Sequence, residues 1–284
     1  MIAFALLTGF LAAAIRIATP LLFAATGELV AERAGVLNLG IEGAMLAGAL
    51  TAALVGTAHG AGAGVMGAVI AGASCGLIVA LVAVHARADQ VITGTAVTLG
   101  AVGLTGAIYR ATLGSGSSEQ ALQTLSAPWV LSVCALLSVP SVWWVLYRTR
   151  WGLALRAAGE DRQAAAANGV AVERIQTSAL LIAGAFAGLG GATLVLAQVG
   201  SFAERMTAGR GFVAIAIVVL GRWSPFGVLG AALLFGALQA LQFLLQGMGF
   251  DLPYQLVLVL PYLLTLLALA GLVGRARAPA GLGK

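Results

Sequence analysis

Residues 175–198 read IQTSALLIAGAFAGLGGATLVLAQ, with no charged side chain among them. A helix needs about 20 largely apolar residues to cross the hydrocarbon core of a bilayer. This run is long enough. Gly184 and Gly188 form a Gly-x-x-x-Gly pair, and Gly190 and Gly191 follow. Small residues at that spacing let helix backbones touch where lipid supplies no hydrophobic drive for association. The stretch therefore predicts a membrane helix packed tightly among others.

Similar runs lie at roughly 4–26, 36–57, 62–85, 90–112, 128–148, 209–222, 225–246 and 254–273. They predict an all-α, polytopic transmembrane helix bundle of about nine spans (eight to ten), a single domain over residues 1–284. The run between Gly211 and Leu220 is short for a full crossing, which predicts a broken or tilted element there. The apolar start, residues 1–14, lacks the basic flank of a cleaved signal peptide and reads as an uncleaved first helix.

Composition agrees and excludes much else. Hydrophobic residues make up 61% of the chain and charged residues 9%, with a mean hydropathy of +1.03. Soluble domains carry about a quarter charged residues, so neither a soluble globule nor a disordered chain fits. The net charge of +5 is not gathered into a patch that would bind nucleic acid. The only lysine is Lys284, so a phosphate-cradling P-loop and Schiff-base chemistry are both excluded. His59, His85, Cys75 and Cys134 show no metal-ligand spacing, and the cysteines read as small apolar filler. No catalytic residue, metal or cofactor is expected; the chain conducts, binds or anchors.

Arginine placement sets an orientation. With the 148–174 loop cytoplasmic, eleven basic residues fall inside, Arg110, Arg205 and Arg210 fall outside, and Arg16 lies within the first span. The C-terminus is then cytoplasmic. The loop itself holds five arginines and three acids. Gly159 reads as a break, Glu160 and Asp161 as a helix start, and Asn168-Gly169 as a C-cap. The expected product is a short alanine-rich helix held on the membrane face. It could be a knob gripped by another protein or a positive-inside anchor.

Three segments carry a more specific likeness. The first runs from Gly27 through Glu28, Glu32, Arg33, Gly35, Asn38, Gly40 and Glu42 to Gly43, followed by Arg87, Asp89 and Gln90. The second joins Gly152, Arg156, Gly159, Glu160, Ala164, Ala165 and Gly169 to Gly184, Gly188 and Gly191. The third is Gly211, Ile215, Ala216, Gly221, Pro225 and Gly227. Together they resemble the permease subunits of bacterial ABC importers in the branched-chain amino acid and simple-sugar superfamily, and among these the nucleoside-importer permeases. The resemblance implies an inner-membrane, multi-pass subunit paired with a second permease. It also implies ATP-binding subunits docked on the cytoplasmic face and an extracytoplasmic substrate-binding protein outside. The loop at about 149–174 would be the coupling segment, with Arg156, Ala157, Gly159, Glu160, Ala165 and Gly169 at the ATPase contact.

Polar side chains at membrane depth are costly and usually face a cavity or pair internally. Asn38 and Glu42 share a helical face near the start of span two. They either line a solute pathway or lock the short loop expected to carry Glu28, Glu32 and Arg33. Gln239, Gln242 and Gln246 form one stripe on span eight, with Gln198 near the outer end of span six. These amides suit nucleobase edges and ribose hydroxyls, with Phe235 or Phe243 as stacking surface, and equally suit helix-to-helix hydrogen bonds. A self-sufficient secondary transporter would need a cluster of intramembrane acids, of which only Glu42 is a candidate; a scaffold would not need the amide stripe.

Overall fold

The computed structural model describes residues 2–112, 125, 127–247, 263 and 278–283. Within these, ten α-helices follow in order. They are α1 (Ile2–Arg33), α2 (Ile41–His59), α3 (Ala61–Val79, extended by a π-helical turn, Ala80–His85), α4 (Gln90–Thr112) and α5 (Trp129–Arg148). Then come α6 (Arg150–Glu160), α7 (Arg162–Ala167), α8 (Val172–Thr193, extended by a second π turn, Leu194–Val199), α9 (Arg210–Leu220) and α10 (Pro225–Gly247). No strand occurs among the described residues.

Among the described residues, seven helical stretches are long and apolar enough to cross a membrane: those of α1 to α5, α8 and α10. The expected nine reduce for two reasons. The 209–222 run folds as α9, whose 11 residues reach only about 16 Å at 1.5 Å per residue. The 254–273 run lies outside the described residues. The span expected over 36–57 is helical only from Ile41, because residues 34–40 form a break. Glu28, Glu32 and Arg33, expected on a loop, lie in the last turns of α1. The helix can carry the two buried acids because donors meet both: the Asn38 N–H reaches Glu28 and the Trp223 indole N–H reaches Glu32.

The 175–198 stretch is the centre of the bundle. It becomes α8 and its π turn, and α1, α2 and α3 pack around it. On the α3 side, a Cβ at Gly72 would lie 2.1 Å from the Gly184 carbonyl oxygen, and one at Gly188 2.1 Å from that of Ala68. On the α2 side, a Cβ at Gly191 would lie 2.0 Å from the Met45 carbonyl oxygen. Towards α1, a Cβ at Gly190 would lie 2.8 Å from the Pro20 carbonyl oxygen. Three neighbours thus meet α8 backbone to backbone. Around α1, the helices α5, α9 and α10 close a second layer through Phe23, Val139, Ile217 and Phe235, all buried.

The ends of α1, α3 and α5 and the start of α8 lie on the face that carries α6 and α7. Gly159 of α6 packs against the Arg33 carbonyl at the end of α1. His85, after α3, meets Thr177 near the start of α8 at 3.0 Å, and Arg87 pairs with Glu173 at 3.7 Å. At the opposite face Arg110 of α4 pairs with Glu204 at 2.9 Å.

Gly188→Val should remove about 3 kcal/mol of stability, the upper range for overpacking a filled contact. Gly100→Val should change nothing, because no atom lies within 4 Å of a Cβ there. Thermal unfolding of the two detergent-purified variants checks both; equal melting would contradict the packing described.

Candidate functional site

The α6–α7 segment is folded tightly onto the helix before it. Thr149 makes the turn: its hydroxyl donates to the Val145 carbonyl at 2.6 Å and accepts the Gly152 N–H at 3.0 Å. Gly152 admits the contact, since a Cβ there would lie 2.2 Å from the Val145 carbonyl oxygen. Arg156 donates from Nε to the Leu146 carbonyl at 3.1 Å and sets its guanidinium 4.8 Å from the Tyr147 ring centre. This is a cation–π position. Arg156 thus fastens α6 to the end of α5.

Gly159 does not break the helix as expected; it lies inside α6, where its missing Cβ allows the Arg33 carbonyl to approach. The break comes at Asp161, whose extended backbone ends α6. Its carboxylate accepts the Gln163 and Ala164 N–H groups at 2.9 and 3.0 Å, capping α7. One expected helix is therefore two. Ala165 is buried with Ala158 and Val172, and Ala157 packs beside them. Glu160 is exposed and accepts the Ala280 N–H, and the Gly281 N–H donates to the Gly159 carbonyl at 2.9 Å. Gly169 has φ +81°, the left-handed conformation that ends a helix. Beyond this turn an open cleft of about 430 Å³ is lined by Arg162, Gln163, Ala166, Glu173 and Arg174.

The second locus is where two breaks in the helices meet. One is residues 34–40; the other is the turn of residues 200–209 before α9. Asn38 is buried, donates its N–H to Glu28 at 3.0 Å, and accepts the Gly40 N–H on its side chain at 3.1 Å. Glu42 crosses to the other break. Its Oε1 accepts the Thr207 hydroxyl at 2.6 Å and the Gly209 N–H at 2.8 Å, and its Oε2 accepts the Gly211 N–H at 2.6 Å. A carboxylate at a helix N-terminus satisfies the open N–H groups and the dipole together. Arg210, expected outside, turns back to bond the Met206 and Thr207 carbonyls.

Asn38 and Glu42 therefore share one junction, and both side chains are engaged within the protein. The amides do not join them in any contact described. Gln198 donates to the Arg16 carbonyl at 2.6 Å, tying α8 to α1. On α10, Gln242 is buried, Gln239 is half-buried, and the Gln246 side chain lies outside the described residues. Phe235 is buried in the core and Phe243 is exposed.

Sequence reading missed Thr207, Gly209 and Trp223 as functional neighbours. Paired glycines, Gly209 and Gly211, directly ahead of a short apolar run were the available sign of this helix start. Trp223 had no such sign: its indole meets Glu32, 191 residues away in the chain.

The chain matches the family described as branched-chain amino acid transport system permease component over residues 10–269. It is 34% identical to a guanosine ABC transporter permease protein of Bacillus subtilis, with 92% of this chain and 91% of that protein covered. A nucleoside ABC transporter permease protein of Lactococcus lactis is 31% identical, again covering 92% and 91%. A putative glucose ABC transporter permease protein of Haloferax volcanii is 39% identical, covering 85% and 79%. No solved structure matches the chain. With a family match spanning nearly all of its length, the chain belongs to the ABC transporter permeases of the branched-chain amino acid transport family.

Proposed function

We propose that the chain is the permease subunit of an ATP-driven importer that carries nucleosides across the bacterial inner membrane. The observation that carries this reading is the 34% identity, over nine-tenths of both chains, to a permease named for guanosine. The glucose-named relative favours a second reading, simple sugars. Both cargo classes present hydroxyls that uncharged amides can meet, so Gln239, Gln242 and Gln246 suit either one.

The partners follow from what the chain lacks and what it displays. ATP hydrolysis belongs to a separate subunit seated on the α6–α7 face, where the 430 Å³ cleft and the exposed turn around Gly169 offer the grip. A second permease completes the pathway, and a substrate-binding protein delivers the solute to the opposite face. The arginine bias supports a cytoplasmic α6–α7 face, and the contacts of Ala280 and Gly281 with Glu160 and Gly159 support a C-terminal end on the same side. The permease supplies different contacts in two states, and the nucleotide shifts the balance between them.

Vesicles holding the assembled transporter should accumulate labelled nucleosides with ATP inside and the binding protein outside. Accumulation of sugars or branched-chain amino acids alone would keep the permease and discard the cargo. Uptake driven by an ion gradient without ATP would discard the ATP-driven reading itself.

Gly159→Leu forces α6 away from Arg33, and Arg156→Ala releases α6 from Leu146 and Tyr147. Both should lower uptake about tenfold, the scale of 1–2 kcal/mol of coupling energy. Membrane insertion and ATPase activity should stay near normal. Unchanged uptake in both variants would show that these residues do not serve coupling.

A further inference from the structure

The short helix α9 is held at both ends by buried glutamates, and its lower end touches the turn on which α6 rests. At that end the chain leaves α9 through Arg222 and Trp223, with φ +56° and +51°. Side chains rarely adopt this left-handed conformation, and it persists only where the surroundings enforce it. Here they do. The Trp223 N–H donates to the Val218 carbonyl at 3.1 Å, its carbonyl accepts Arg33 Nε at 2.7 Å, and its indole N–H donates to Glu32. Gly221 and Gly227 touch through their backbones, so α9 and the start of α10 form one stiff corner. Arg33, which grips Trp223, is also the residue whose carbonyl lies against Gly159 of α6.

At the other end, Glu42 binds the Thr207 hydroxyl and the Gly209 and Gly211 N–H groups, and a Cβ at Gly211 would lie 2.6 Å from the Glu42 Cα. Between the ends, Ala214, Ile217 and Val218 are buried, while Phe212 is 43% exposed. The helix is thus a strut of about 16 Å between the corner at Arg222 and Trp223 and the turn at residues 200–209.

We propose that α9 transmits movement of the α6–α7 segment to the turn at residues 200–209, with Trp223 and Glu42 as positioning residues at its two ends. The proposal rests on the ATP-coupled reading above. A shift of α6 displaces Arg33 through the Gly159 contact. Arg33 and Glu32 carry Trp223 with them, and α9 moves as a rod. Glu42, fixed on α2, then either follows or releases the Thr207–Gly211 turn. Because Glu42 is filled by three donors from this turn, its part is to hold the strut and not to touch solute.

The test uses the assembled transporter in nanodiscs with Cys75→Ala and Cys134→Ala, and Phe212→Cys as a thiol probe on the exposed side of α9. Maleimide labelling is timed without nucleotide and after trapping with ATP and vanadate. The rate should differ about tenfold between the two states, and Trp223→Phe should reduce the difference to less than about twofold, with ATPase activity retained. Phenylalanine keeps an aromatic ring at this buried position while removing the donor to Glu32 and the outer part of the indole. If Trp223→Phe fails to accumulate, Glu42→Gln is read in the same way at the other end. In vesicle uptake, combining Trp223→Phe and Glu42→Gln should cost no more than the worse single variant, since the two sites act in series. A labelling difference untouched by the substitution, a parent with no difference, or losses that multiply would each overturn the proposal. None of the labelling depends on solute, so an error in the cargo leaves it readable, and uptake in parallel vesicles reports on the proposed function separately.

Discussion

Lipid gives packed helices no solvent to escape from, so a bundle of this kind holds together where its backbones can touch. That constraint falls on α8. Its Gly184 and Gly188 face α3, Gly188 and Gly191 face α2, and Gly190 faces α1, each at a distance that excludes a side chain. A helix with only one glycine face could join two partners. The run from Gly184 to Gly191 places small residues on several faces, which is why this helix can be the axis of the bundle. The outer layer, with Trp129, Leu137, Leu99 and Ile70 exposed, turns large side chains outward in the usual sense of a lipid-facing surface.

The second constraint is polar. Irregular backbone inside a membrane is tolerated only where protein satisfies it. Among the described residues, acids serve two irregular segments, residues 34–40 and 200–209. Glu28 bonds the first break through Asn38, Glu42 bonds the second through Thr207, Gly209 and Gly211, and Glu32 bonds the corner beyond α9. The acids so placed act as hydrogen-bond acceptors for backbone and indole N–H groups. The ion pairs of Arg87 with Glu173 and of Arg110 with Glu204 are at exposed positions instead.

Legibility in the sequence followed the same division. Apolar length and the Gly-x-x-x-Gly pair revealed the membrane bundle and the importance of 175–198, because both are local properties of composition and spacing. The charged 148–174 loop was legible as a helical projection for the same reason. The role of Gly159 was not, since an isolated glycine reads as a break until its neighbour is known, and that neighbour is the Arg33 carbonyl. The extent of α1 was misjudged because Glu28 and Glu32 look like loop residues unless their donors, brought from residues 38 and 223, are visible. The same blindness applied to Glu42: position alone left open whether it lines a pathway or locks the neighbouring loop, while its three partners arrive from more than 160 residues away.

These long-range partners give the fold its mechanical character. Glu42 lies on the helix that follows the first break, and the groups it binds belong to the second, so the second break is closed by an element of the first. Glu32 and Arg33, just before the first break, hold Trp223, just beyond α9. The short helix is therefore bracketed by the same segment of chain at both ends, through residues only ten apart in sequence, Glu32 and Glu42. A displacement of residues 32–42 as a unit carries α9 along; a displacement that opens the 34–40 break pulls on its two ends unequally. The α6–α7 segment touches this bracket at Arg33 and Gly35, at the edge of the break itself. The contact of Gly159 with the Arg33 carbonyl is thus the point at which α6 meets the segment that brackets α9.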